Sequence, residues 1–258
     1  MSKYLSDIWK RRELILYLVT SGLKAQHRNT FLGYFWWLLD PLLGIAIFYI
    51  IVVIIFRRGG ENFGLYLVIG MVVWRWVSST INTAEKSIHS KSKLITDIYL
   101  PKIIFPIGST LTQIINFGFG LCIIAIFLII LKQPIGKEVI WLPYIMIMQL
   151  FFMMAIAFTL AYLGVFLRDM DNIVNHILRL WFFGSAIIYP ETMIPEGWRW
   201  LLNINPIVNF MRGYRKILMY NETPDLITIS YIGIISFFIV IFIIFFYSKN
   251  EYKIIKSL

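Results

Sequence analysis

Cysteine is nearly missing. Cys122 stands alone in 258 residues, so no intramolecular disulfide can form, and its place inside an apolar run reads as a small core hydrophobe. Histidine is scarce as well: His27, His89 and His176 lie far apart with no neighbouring cysteine, which argues against a zinc site. Charged residues make up only 15% of the chain against 59% hydrophobic ones, and the mean hydropathy is +0.75. A soluble domain carries about 25% charged residues, and this chain lies far outside that range. No G-x-x-x-x-G-K-[ST] occurs, the Gly136-Lys137 pair being followed by Glu138. Without that phosphate cradle the chain is expected not to hydrolyse ATP itself. No HExxH and no Ser/His/Asp set is visible, so no catalytic, cofactor-binding or metal-binding residue is assigned. The period-2 alternation of a membrane barrel is also missing, which leaves helices as the spanning elements.

What the chain has in abundance is apolar length. Crossing the hydrocarbon core takes about 20 mostly apolar residues as helix. Windows of that kind predict an all-α integral membrane protein with six spans, at about 32–56, 65–84, 103–131, 143–167, 171–190 and 227–247. Lys and Arg set the orientation. With both termini in the cytoplasm, 14 basic residues fall inside and 8 outside, and the last outer segment, the longest loop, holds four of those 8. The 24 basic residues against 14 acidic ones then read as topology-setting flanks that touch anionic membrane lipid, not as a nucleic-acid surface.

Residues 1–30 are too polar for a signal peptide, interrupted as they are by Lys10-Arg11-Arg12 and Lys24. Leu5, Ile8, Trp9, Leu16, Val19 and Leu23 share one helical face, which predicts an amphipathic helix on the cytoplasmic interface. Residues 85–102 form a mixed-charge segment long enough for a short helix, stopped by Pro101. Residues 191–226, with the preceding Tyr189-Pro190, are punctuated by Pro195, Trp198, Trp200 and Pro206 and predict short helices dipping into the outer interface, where tryptophan is favoured. No internal repeat appears, so the whole of 1–258 reads as one domain. Asp169-Met170-Asp171 superficially resembles a metal-holding D-x-D, but it sits at a predicted turn, where acids also suit the following helix N-terminus. Asp40, Arg75 and Arg179 fall inside predicted spans, where ionisable groups are rare without a partner or a wet cavity. Two readings stay open for them: an Asp40–Arg75 ion pair holding helices together, or a polar lining for something anionic.

The ordered combination of residues resembles a known family. Arg12-Glu13-Leu14-Ile15, Leu32-Gly33-Tyr34-Phe35-Trp36 and Asp40-Pro41-Leu42 are similar to the opening helix and first span of the transmembrane subunit of ABC-2 type polysaccharide exporters, the group handling O-antigen, capsule and teichoic acid. Asn82, Lys93-Leu94-Ile95, Tyr99-Leu100-Pro101 and Phe105-Pro106 resemble its first cytoplasmic loop. Arg168-Asp169, Ile188-Tyr189-Pro190, Ile194-Pro195-Glu196, Asn205-Pro206 and Arg215 follow its last third in order and spacing. The chain departs at Gln26-His27, at Asp40 in place of a common Asn, and at Ala186 in place of a common Pro.

The resemblance implies an inner-membrane homodimer around a channel, with two copies of a cytoplasmic ATPase that binds ATP and Mg. Its cargo would be a glycan joined through pyrophosphate to a polyprenyl lipid, most simply an O-antigen. Residues 85–102 would couple to the ATPase, with Lys93, Ile95, Asp97, Ile98 and Tyr99 as the contact. Arg28 at the entrance and Arg75 and Arg179 deeper would guide the pyrophosphate. Trp36, Trp37, Trp74, Trp76 and Trp181 would offer stacking faces to sugar, and Tyr189, Pro190, Pro195, Trp198 and Trp200 would form an external gate. The competing readings are a drug or small-lipid exporter of the same fold, and a membrane glycosyltransferase using Asp169 and Asp171.

Overall fold

The computed structural model describes residues 2–26, 35–57, 62–97, 100–167 and 169–257. Regular structure among them is entirely helical. Five stretches are long and apolar enough to cross a membrane. The first joins α3 (Trp36–Tyr49) to a π-helical run of β-branched residues, Ile50–Ile55. The others are α4 (Phe63–Lys86), α6 (Ile104–Ile130), α7 (Leu142–Phe166) and α11 (Leu226–Ser257). These are five of the six expected spans. The remaining one, expected over 171–190, is helical only as α8, Met170–Phe183. Its 14 residues make about 21 Å of helix, short of a core about 30 Å thick. Gly184-Ser185 interrupts it, and the chain then bends through residues 187–189 to Pro190. Ala186 takes φ 48°, a left-handed conformation closed to proline, so the departure at this position is matched by the backbone.

The expected interface helix is two helices, α1 (Ser2–Lys10) and α2 (Arg12–Gln26), with a turn at Arg11. α2 runs alongside the first turns of α6. A Cβ on Gly22 would lie 3.2 Å from Thr112 Oγ1, and one on Gly108 would lie 3.1 Å from Leu18 Cβ. Both pairs step by four residues on both helices, so the two run in the same direction, and the glycines let the backbones approach.

α4 is the hub of the bundle, packed against α6, α7 and α8. It runs antiparallel to α6, with Trp76 stacked on Phe117 and Val72 against Gly120. It also runs antiparallel to α8, with Lys86 joined to Asp171 at one end and Trp74 against Phe182 at the other. Because its neighbours are mostly protein and not lipid, α4 carries more polar side chains than a lipid-facing span tolerates. Thr80 and Thr83 donate to the carbonyls of Trp76 and Ser79, both at 2.7 Å. α7 and α11 form a parallel pair along most of their length, through Tyr144–Ser230, Phe151–Phe237 and Tyr162–Tyr247. At the base of the bundle the start of α6 and the end of α11 share an apolar cluster with α1 and with Ile88, Ile95 and Leu100.

Candidate functional site

Ser79, Asn82 and Thr83 recur with Arg75 at helical spacing on one face of α4. Gln113 and Asn116 face them from α6. Between the two helices and Pro41 of α3 lies a cavity of about 350 Å³. Its amides are organised: Asn116 donates to Gln113 Oε1 at 2.9 Å, and Gln113 donates to Thr83 Oγ1 at 3.5 Å. Of the residues lining this cavity, Arg75 and Trp76 were expected on the substrate path from the sequence. The spacing 75, 79, 82, 83 within an otherwise apolar span was the sequence signal for the rest of the α4 face.

Arg75 donates to Asp40 Oδ2 at 3.2 Å, so the expected pair exists, joining α4 to α3 at the mouth of the cavity. Both side chains stay partly open, at 45% and 39% exposure. Arg179 is exposed on α8 and forms no ion pair among the described residues. Higher along α3, an apolar hollow of about 600 Å³ lies between Ile45, Val53, Phe63 and Phe127. α3 is therefore lightly seated, with hollows beneath much of its length.

Trp74, Trp76 and Trp181 make helix contacts with much of their ring surface, while Trp76 also lines the cavity. Trp74 is buried edge-on against Trp181, with ring centroids 6.4 Å apart. Trp76 is buried with one face on Phe117 at 4.1 Å. Trp181 donates its indole N–H to Asn205 Oδ1 at 2.9 Å. Large rings bury the most apolar area, and the helix contacts have claimed them. Trp36 is half-buried. Arg28 and the side chain of Trp37 lie outside the described residues.

The non-helical stretch after α8 is a second polar centre. Backbone groups at such a break need partners wherever lipid excludes water. Here side chains supply them. Tyr189 donates its hydroxyl to the carbonyl of Phe183, and Asn205 Nδ2 donates to that of Gly184 at 3.1 Å. Arg215 donates to the carbonyls of Ala186 at 3.2 Å and Ile187 at 3.3 Å, while Tyr66 bonds those of Ala186 and Tyr189. Arg215 also lies 3.3 Å over the Tyr66 ring. It comes from α10 (Pro206–Arg215), which Asn205 caps by accepting from Ile207 N. α10 inserts against α4, α7 and α11. Beside it Arg212 grips Glu191 with Nε at 2.8 Å, and those hydrogen bonds push its guanidinium's pKa further up. Pro195, Trp198 and Trp200 are exposed, Pro195 just ahead of a short helical turn that ends at Trp198 and Trp200 opening α9 (Trp200–Ile204). Tyr66 and Arg212, central to this end, had no role in the sequence argument.

In the segment 85–102, a 3₁₀ turn at His89–Lys91 leads into α5, Ser92–Asp97. Ile95 corrects its expected place as an outward anchor. It is 2% exposed and packs with Ile88, Leu100 and Tyr4, because the base of the bundle needs it to close its own core. Lys93 is exposed. Ile98, Tyr99 and the side chain of Asp97 lie outside the described residues. Asp171 is held by Lys86 at 2.6 Å and accepts from Asn175 Nδ2 at 2.8 Å, in the first turn of α8. Its carboxylate is a helix-start anchor joining α8 to α4.

The family model for ABC-2 type transporters matches residues 13–219. The O-antigen export system permease protein RfbA of Myxococcus xanthus is 29% identical over 227 residues, covering 87% of each chain. Two permease proteins of the same name from Klebsiella pneumoniae are 26% identical over 226 residues and 25% identical over 247. The latter covers 95% of each chain. With five helices long and apolar enough to span, the polar α4 at their centre, a side-chain-capped break after α8, and a family match over most of its length, this chain belongs to the ABC-2 type transporter family.

Proposed function

We propose that the chain is the membrane permease of an ATP-driven exporter of O-antigen polysaccharide carried on a lipid. Two copies enclose the channel, and a separate cytoplasmic ATPase docks at the base. The observation that carries this reading is polar chemistry left uncovered at membrane depth. Arg75 lies near the middle of α4 and lines the amide-lined cavity, and it and its partner Asp40 remain partly open on a single chain, as does Arg179 on α8. A charge facing hydrocarbon there costs about 3 kcal/mol or more, so another protein surface and water must cover this face. A second copy supplies both. The cavity's amides and hydroxyls suit the hydroxyls of sugar, and Arg75 suits the pyrophosphate, which its planar fork holds bidentately. The comparisons with O-antigen permeases support this cargo over a drug or small lipid.

Replacing Arg75 by Gln, checked first for assembly with the ATPase, is expected to lower export at least about tenfold, a loss of the order of one charged hydrogen bond. Arg75→Lys is expected to recover part of it. If Asp40→Asn rescues Arg75→Gln to wild-type export, the pair holds helices together and the path reading fails.

A further inference from the structure

Opposite charges are buried together at the base of the bundle. Lys102 has 0% exposure and Glu251 8%. Glu251 Oε1, on the lower end of α11, accepts the backbone N–H of Lys102 at 3.0 Å. Lys102 Nζ donates to the carbonyl of Leu100 at 2.8 Å, and the Tyr4 hydroxyl of α1 lies near the Glu251 carboxylate and the backbone N–H of Ile103. One turn before Glu251, the buried Tyr247 donates to the carbonyl of Phe158 in α7 at 2.9 Å. α1, the end of the segment 85–102, the start of α6, α7 and α11 thus meet at one point.

The arrangement has a local cause. The N–H of Lys102 lies just ahead of α6, among the amides that a helix start leaves without an internal acceptor. A carboxylate there satisfies the donor and suits the helix dipole. Burying a carboxylate and an ammonium is nonetheless costly, and apolar residues would hold the junction at least as firmly. What a directed acceptor adds is position: it fixes one backbone atom of the segment relative to α11.

We propose that Glu251 is a positioning residue for transport. It ties the end of the coupling segment to α11, so that displacement of residues 85–102 reaches α6 and α11 together and is not absorbed in the loop. This rests on the reading that the segment receives the ATPase.

The test uses the full chain with its ATPase and three variants. Glu251→Gln keeps a carbonyl for the Lys102 N–H, Glu251→Leu removes it, and Glu251→Leu with Lys102→Met removes both charges while keeping apolar packing. Three quantities are measured: hydrogen exchange of peptides covering 86–103, ATP hydrolysis, and polysaccharide exported per ATP. Glu251→Leu is expected to raise exchange in those peptides about tenfold, the mark of a local opening. Export per ATP falls while hydrolysis persists, and the double variant assembles but stays uncoupled. Glu251→Gln stays within about twofold of wild type in all three, since its carbonyl still accepts the bond. Wild-type exchange in Glu251→Leu, or wild-type export per ATP in the double variant, overturns the proposal. Should Glu251→Leu fail to assemble, the double variant and Glu251→Gln decide alone. Exchange is read equally on the chain without its ATPase, so a segment that proves not to receive the ATPase is distinguished from a tie that does not exist.

Discussion

Arg215, at 4% exposure, shows how much one side chain can hold in place. It serves the adjacent carbonyls of Ala186 and Ile187 in the break after α8 and that of Tyr66 on α4, and it fits because residue 70 is glycine: a Cβ there would lie 2.8 Å from Arg215 Nη2 and 3.1 Å from the Ile187 carbonyl oxygen. Arg215→Leu leaves those carbonyls without donors and is expected to lower stability by about 3–5 kcal/mol. Arg215→Lys is expected to restore only a minor part, lacking the fork. Thermal unfolding in lipid nanodiscs measures both. Asp225 offers a milder case at the start of α11, where it accepts from Thr228 N at 3.2 Å and Thr228 Oγ1 at 2.7 Å. Those bonds hold its carboxyl below the usual carboxylate range. Its cap is therefore fully effective above the ordinary value of about 4 and is lost as pH falls through the lowered folded value. Asp225→Ala is expected to cost about 1 kcal/mol at pH 7, with the difference from wild type vanishing at the acid end of a stability-against-pH series.

At the scale of helices, α4 and α8 depart from the ordinary membrane span in opposite ways. α4 is long and polar because its neighbours are protein, whereas α8 is short, stopping at Gly184-Ser185, and amphipathic, with Asp171, Asn172, Asn175, His176 and Arg179 among its 14 residues. The seam between α4 and α7 depends on close approach at Gly164, where a Cβ would meet Glu85 Oε1 at 2.8 Å and the Glu85 carbonyl oxygen at 3.0 Å. Gly164→Leu is expected to push the helices apart and cost about 1–3 kcal/mol. Gly197→Leu, where nothing lies within 4 Å of the added Cβ, is expected to be near neutral. Denaturation of the two variants side by side tests the difference.

For the whole molecule, the proposed function puts the base that holds α1 and the end of α11 in the cytoplasm, and the break after α8 on the opposite face. In a Cys122→Ala background, cysteines at residues 62, 135 and 197 are expected to react with an impermeant maleimide in intact cells. Cysteines at 91 and 250 are expected to react only after permeabilisation. Labelling of position 91 from outside would reverse the topology and remove the coupling role of residues 85–102.

Five spans were legible in the sequence, because hydrocarbon thickness sets helix length and excludes charge along a linear stretch of chain, although α11 continues to Ser257, ten residues past its expected end at 247. The early end of α8 had a visible cue in Gly184-Ser185 that apolar length overrode. Which way each side chain turned was not legible. Trp74 and Trp76, expected to meet sugar, pack in the core, and Ile95, expected to meet a partner, closes the base. Conversely Tyr66, Gln113 and Asn116 reached their places only through helix pairing. Lipid and protein neighbours are both apolar, so a span's composition does not reveal which face meets which. Rotation and partner choice come from van der Waals fit at glycines such as Gly120 and Gly164 and from hydrogen bonds across as many as 149 residues of sequence, as between Lys102 and Glu251.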